Sequence, residues 1–413
     1  MKLYNHFIDG KWIEPTKNEY FDTENPFTGE VWAKVARGCE KDADLAVKAA
    51  KAAFDTGAWA DMRPTQRGKL LVRLAEIIER ESERLANIEV RDNGKLITEM
   101  SAQTKYLAEW YRYFGGLADK IEGAVLPADR PGIFNYTRYE PLGVIGMITA
   151  WNSPLLLLAW KLAPAMPVTL ELGGKSPNIV FEDADFEAAV MGAISGIFAA
   201  TGQTCIAGSR LLVQRTIHDK FVKRLVEVAS EAKIGDPMSV ETHVGPVTTA
   251  PQYEKILQYI EVAKEDGATC VLGGKPYTGD GIQGDRFVEP TIFTGVTNNM
   301  RIAQEEVFGP ILSVIPFDTE EDAIRIGNDI VFGLAAGVWT SDLGRAFRMS
   351  EKLKAGTVWV NTYRAVSFMT PFGGYKRSGQ GRESGQESIK EFMQVKSVWI
   401  AQQTTSSNPF IMQ

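Results

Sequence analysis

A chain of 413 residues, 44% hydrophobic and 23% charged, is too long for one ordinary core and too apolar to be mainly disordered, so two or three packed domains are expected. Its formal net charge of −7, without any basic block, argues against nucleic acid or an anionic membrane as partner, because binding phosphates takes clustered Lys and Arg. Three cysteines (Cys39, Cys205, Cys270) and three histidines (His6, His218, His243) form neither a disulfide framework nor a metal-ligand spacing. A metal-free, cytoplasmic protein is expected. The most apolar run, PLLLLAW from Pro154 to Trp160, is far shorter than the roughly 20 residues of a bilayer span, and the N-terminal MKLYNHFIDGKWIEP lacks the apolar region of a signal peptide.

Along the chain, helical and strand-like patterns alternate, which predicts α/β architecture. Residues 42–54 are Ala-rich with helical spacing. Residues 66–91 read as one long amphipathic helix, stopped by Asn93-Gly94. Residues 122–140 carry Pro127, Pro131 and several β-formers and read as an extended arm. Next comes an apolar, β-branched run at 144–150 (VIGMITA), expected as a buried strand, and a helix at 155–166. Further helices are expected at 184–200, 218–232 and 252–265. Strands are expected at 178–181, 211–214, 311–317, 337–340 and 356–361. A lone strand at 394–402 precedes a polar tail; so isolated a strand points to pairing outside its own domain, and so to an oligomer.

Three residues could do chemistry. Cys205 lies in TGQTCIAG (201–208), where glycines leave room for a substrate and let backbone N–H groups face a reacting atom. It is either a nucleophile or a buried free thiol acting as a small hydrophobe. Glu171, at the end of an apolar run before Gly-Gly, is either a partly desolvated general base or a strand-end carboxylate in water. Asn152, just past the 144–150 run, either donates its amide N–H to an oxyanion or caps a turn. The glycine-rich PFGGYKRSGQGRE (371–383) matches neither G-x-G-x-x-G nor G-x-x-x-x-G-K-[ST], so the usual phosphate-binding fingerprints are absent.

Taken together, PLGVIGMITAWNSPLLLLAWKLAPA, VTLELGGKSPNIVFEDAD, GQTCIAGSR, EEVFGPILSV, GTVWVN and PFGGYKRSGQGRE closely resemble the aldehyde dehydrogenases, in that family's order and across essentially the whole chain. The resemblance implies a Rossmann-type coenzyme domain (residues 1–121 and 141–170), an α/β catalytic domain (171–393) and a β oligomerisation arm with its tail (122–140 and 394–413). It implies NAD or NADP as cofactor, a small-molecule aldehyde as substrate, and a homodimer or homotetramer. Cys205 would form a thiohemiacetal and then a thioester, Glu171 would be the general base, and Asn152 with the Cys205 N–H would form the oxyanion hole. Ile148, Trp151, Leu172 and Gly173 would lie along the nicotinamide. Glu306 and Phe308 would hold its ribose and ring, with Gln252 and Lys255 approaching the cofactor ribose. Glu383 and Lys161 match a proton-handling pair.

Two departures stand out. After KLAPA the family pattern continues for roughly eighty residues, about half an ordinary domain, before the equivalent of PVTLELGG. Here Met166 meets Pro167 directly. The missing stretch carries a Lys-Pro-x-Glu motif for the adenosine ribose and a Phe-Thr-Gly-Ser turn at the pyrophosphate. It also carries the residues that would separate NAD from NADP. The natural chain has further residues there, or they were removed by design, or the chain is shorter by nature. A shortened chain would be a cofactor-independent thiol esterase or an inactive homologue. The second departure is TAWNSP, where many members read Pro-Trp-Asn-Phe-Pro. Ser153 would widen the substrate tunnel. The other lining residues (Tyr111, Leu156, Leu157, Trp160, Val366) suit an apolar or bulky aldehyde, whereas Arg364 at the mouth would favour an anionic one.

Overall fold

The computed structural model describes residues 1–59, 61–129, 131–164 and 170–402. Its centre is a seven-stranded sheet. In spatial order the strands are Thr269–Leu272, Thr291–Thr294, Ile311–Phe317, Arg210–Gln214, Pro177–Val180, Ala335–Trp339 and Thr357–Val360. All neighbours are parallel except the first pair. The inner strands are apolar in near-continuous runs because both faces are covered, as parallel sheets require. Ile179, Leu212 and Ile315 pack on one face with Ile256, Ile260 and Met349 from the helices Ala250–Glu265 and Leu343–Lys352. Val180, Leu211 and Val213 pack on the other with Ala189, Phe221 and Leu225 from Phe186–Phe198 and His218–Ser230. Side-chain caps fix where three of these helices begin: Asp185, Thr249 and Asp342 each accept the N–H three residues on.

A layer of helices packs at one end of this sheet. Pro64–Arg80 and Ser82–Asn93 replace the single helix expected at 66–91. The chain bends at Glu81, whose carboxylate accepts from Arg80 Nε (3.2 Å) and Arg84 Nε (2.9 Å). Neither Gly nor Pro marks that bend. The stop at Gly94 is as expected: φ is +76°, and its N–H returns to the Val90 carbonyl. Ile97–Leu117 is a further 21-residue helix that periodicity did not indicate. It buries Leu107, Trp110, Tyr111 and Phe114 against Leu157 and Trp160 of the helix Pro154–Leu162.

The expected strand at 144–150 does not form. Residues 142–150 are irregular and Ile148 is 90% exposed. Its sequence is strand-like, but a strand needs a neighbour for its ladder bonds, and among the described residues none lies beside it. Residues 165–166 of the expected helix, and the 166–167 junction itself, lie outside the described residues. The arm and the last strand do pair, with each other: Ile133–Pro141 runs antiparallel to Met393–Ala401 over nine residues, and Val125–Leu126 flanks the former. Among the described residues no helix is long and apolar enough to cross a membrane, and no group of side chains could hold a metal ion.

Candidate active site

The helix Phe186–Phe198 ends in a tight turn in which Ala200 (φ +51°) and Thr201 (φ +55°) are left-handed, and the chain then runs into Cys205. The thiol is half-buried and donates its hydrogen bond to Glu171. Burial, together with the Glu171 and Glu306 carboxylates, pushes the Cys205 thiol well above its usual range. Cys205 is therefore a thiol at neutral pH and needs a base. Glu171 can supply one. Burial raises its carboxyl from 4.5 to about 7, against the opposing effect of the Cys205 hydrogen bond. Its Oε1 has no protein partner among the described residues, which leaves one lone pair for a water or a proton.

Asn152 is buried beside this turn, and its Nδ2 donates to the Gln203 carbonyl at 3.0 Å. That uses one amide hydrogen and leaves the second for an oxygen next to Cys205. Lys161 and the buried Glu383 form an ion pair, and both act electrostatically on Glu171. The structure thus brings Cys205, Glu171, Asn152, Lys161 and Glu383 together. Tyr111, Leu156, Leu157, Trp160 and Val366 share one apolar cluster with the cysteine. Arg364 is not part of that cluster; it is half-buried and donates to the Ser195 carbonyl at 3.3 Å.

On the other side of Glu171, Oε1 of Glu306 accepts the Gly174 N–H at 2.9 Å. A Cβ on Gly173 would meet the Glu306 carboxylate, so glycine here lets that side chain lie against the backbone and a larger residue would push it aside. Gln252 Nε2 donates to the Val307 (2.8 Å) and Phe308 (2.9 Å) carbonyls, and Lys255 Nζ to the Glu306 carbonyl (2.7 Å). These two side chains brace the 306–308 loop. The Trp151 and Phe308 rings meet edge to face at 5.5 Å. Trp151, Leu172 and Ile148 are exposed. An acidic side chain, a glycine cradle and exposed apolar groups suit the nicotinamide riboside end of NAD(P).

Three contributors escaped the sequence reading. Ser378 takes the Gly333 N–H (2.9 Å) and donates to the Gly173 carbonyl (2.8 Å). Gly379–Gln380 pairs with Leu170–Glu171, so the glycine-rich loop serves as the backbone partner of the base. Lys175 is buried, and desolvation together with Arg210 pulls its ammonium down to about 7. The third is Lys95, whose Nζ donates to Ser153 Oγ next to Asn152. Its position after Gly94 gave no signal beyond that of a helix stop.

The Aldehyde dehydrogenase family model matches residues 12–167 and 166–398, two segments that meet at the 166–167 junction. An aldehyde dehydrogenase of Aspergillus niger is 39% identical over 472 residues, covering 95% of this chain and 94% of that protein. A betaine aldehyde dehydrogenase of Bacillus subtilis is 37% identical, with 95% and 96% covered. The structure of betaine aldehyde dehydrogenase from Staphylococcus aureus in complex with NAD+ superposes with a TM-score of 0.96 at 34% identity, covering 99% of this chain and 97% of that one. This chain belongs to the aldehyde dehydrogenase family. It is an oxidoreductase that oxidises an aldehyde with NAD(P) as cofactor.

Proposed function

We propose that Cys205 is the nucleophile, Glu171 its general base and Asn152 an oxyanion donor. The observation that carries this reading is the Cys205–Glu171 hydrogen bond between a thiol held protonated and a carboxyl held near neutrality. Glu171 takes the thiol proton as Sγ bonds to the aldehyde carbon. The second Asn152 N–H meets the oxygen that becomes negative. Hydride leaves this carbon for bound NAD(P), which is the chemistry the cofactor supplies. A thioester then remains on Cys205. Glu171 takes a proton from water as it attacks the thioester, the C–S bond breaks, and the acid departs while the sulfur regains a proton. Between the two steps the Lys161–Glu383 pair beside Glu171 passes the first proton, the one taken from the thiol, outward, so that Glu171 is free to take the proton of water.

We place the reaction on an apolar or bulky aldehyde, supported by the cluster of Tyr111, Leu156, Leu157, Trp160 and Val366 around the cysteine. A cytoplasmic setting suits an enzyme that needs a free thiol. The coenzyme half is residues 1–121 and 141–170, the catalytic half 171–393, and the paired strands 133–141 and 393–401 are the oligomerisation arm. NADH formation from a panel of aliphatic and aromatic aldehydes, run beside Cys205→Ala, tests the assignment. Turnover that survives in the variant rules Cys205 out.

A second reading has its own observation. The alignment to the Aspergillus protein runs over 472 positions although this chain has 413 residues, and 144–150 stands without a neighbouring strand. On this reading the stretch beyond Met166 is absent and the site acts as a thiol esterase. Cleavage of an activated ester without cofactor, lost in Cys205→Ala and accompanied by no NADH formation, would single it out.

A further inference from the structure

We propose that the turn joining the Ser82–Asn93 and Ile97–Leu117 helices positions the oxyanion site, with Lys95 and Glu99 as its positioning residues. This rests on the roles given above to Cys205 and Asn152. The turn reaches both walls of the site. On one wall, Lys95 Nζ donates to Ser153 Oγ, one residue from Asn152, and Glu89 Oε1 accepts the Leu155 N–H at 3.2 Å. On the other wall, Glu99 Oε1 accepts the Ala200 N–H at 2.9 Å.

That second anchor matters because Ala200 and Thr201 are non-glycine residues at positive φ, just ahead of the nucleophile. Such residues cost on the order of 1–3 kcal/mol each and persist only where the surroundings hold them. Here the holders are Glu99 and the bond from Thr201 Oγ1 to the Gly245 carbonyl (3.2 Å).

The two walls are further tied into one ring. Asn152 donates to the Gln203 carbonyl (3.0 Å), and Gln203 Oε1 accepts the Thr248 N–H (3.0 Å). Thr248 Oγ1 donates to the Asn93 carbonyl (2.6 Å), and Asn93 Oδ1 accepts the Lys95 N–H (2.9 Å). Lys95 then returns to Ser153, the neighbour of Asn152. Every side chain in the ring is buried. Burial pulls the Lys95 ammonium below its usual range, Glu99 and Glu89 push it back up, Arg364 lowers it further, and Cys205 raises it. Cutting the ring at Lys95 frees the Ser153 turn and lets the Asn152 amide drift from the carbonyl oxygen.

The test compares wild type with Lys95→Met, Lys95→Arg and Glu99→Met in four measurements. These are kcat and KM for aldehyde oxidation, cofactor-free cleavage of 4-nitrophenyl acetate, alkylation of Cys205 by iodoacetamide, and the urea midpoint. A misplacement near 1 Å can cost about a hundredfold, so Lys95→Met should lower kcat by about ten- to a hundredfold with KM and the alkylation rate within about twofold of wild type. Lys95→Arg, which can still reach Ser153, should recover most of the loss. Glu99→Met should resemble Lys95→Met. If Lys95→Met does not fold, Lys95→Gln serves in its place: reduced kcat supports the assignment and wild-type kcat overturns it. A folded Lys95→Met with unchanged kcat, or a loss matched by equal losses in alkylation and urea midpoint, also overturns it. Turnover that persists in Cys205→Ala, or wild type inactive on both substrates, would instead sink the reading of the site, and the inference with it.

Discussion

Glu171 must give up its proton to work, and its burial resists that. With its carboxyl raised from 4.5 to about 7, the fraction able to accept the Cys205 proton grows between about pH 6 and pH 8. Turnover should rise across that window and level off above it. Because the folded carboxyl binds its proton more tightly than the unfolded one, its contribution to stability is complete below pH 4.5 and is lost as pH climbs through 7. Activity and stability should therefore move in opposite directions, and a pH series of kcat beside urea midpoints checks both. Glu171→Gln should cost about 10²–10⁴-fold in kcat and flatten the profile. A variant that keeps the wild-type inflection would assign that proton to another group. The three central residues could be picked from the sequence because each stands beside glycines or a sharp turn. Their electrostatic setting could not be read from residue chemistry, since Glu306 and Glu383 reach Glu171 from distant parts of the chain and only the family resemblance pointed to them.

Among the elements, those with a single dominant cue were legible. The strand at 311–317 forms over just those residues, and the stop at Gly94 follows from Asn-Gly. Gly94→Ala should cost about 1–2 kcal/mol for a left-handed L residue, more if the new Cβ displaces Pro246. A urea midpoint equal to that of wild type would show that the turn relaxes freely. Elements decided by tertiary contact were not legible. The bend falls at Glu81, whose carboxylate takes both Arg80 and Arg84, and no Gly or Pro announces it. The Ile97–Leu117 helix carries its apolar groups around too much of its surface to show one stripe, because it packs on several neighbours at once. The apolar run at 144–150 had every local mark of a strand and lacked only a partner, which no local pattern reports.

For the whole molecule, the seven-stranded sheet is covered on both faces, whereas residues 64–117 are almost wholly helical. The family resemblance assigns Glu306, Gly173 and Phe308 to the nicotinamide end and expects the motifs for the adenosine end in a stretch that would follow Met166. Calorimetric titration should show that NAD+ binds this chain more weakly than it binds a relative carrying those motifs, with nicotinamide mononucleotide closer to parity. Full-strength NAD+ binding would mean that other residues recognise the adenosine. Among the described residues, the nine-residue pairing of 133–141 with 393–401 leaves the outer edge of 393–401 without a partner strand, the edge that the proposed oligomer would use. Light scattering should give the mass of a dimer or tetramer, and a monomer at micromolar concentration would remove the arm from that role.

The unpaired stretch from Leu142 to Trp151 has one more implication. An irregular run with bulky apolar side chains in solvent is what chymotrypsin cuts first, and the exposed Leu142 and Trp151 offer it bonds. The cut ends would not fall apart, because the helices on either side are buried against the same aromatic cluster. The chain would become a nicked two-piece protein that still runs as one in gel filtration. On the placement along the nicotinamide that the family resemblance implies for the exposed Ile148, Trp151 and Leu172, the cutting rate becomes a clock for cofactor occupancy that needs no turnover.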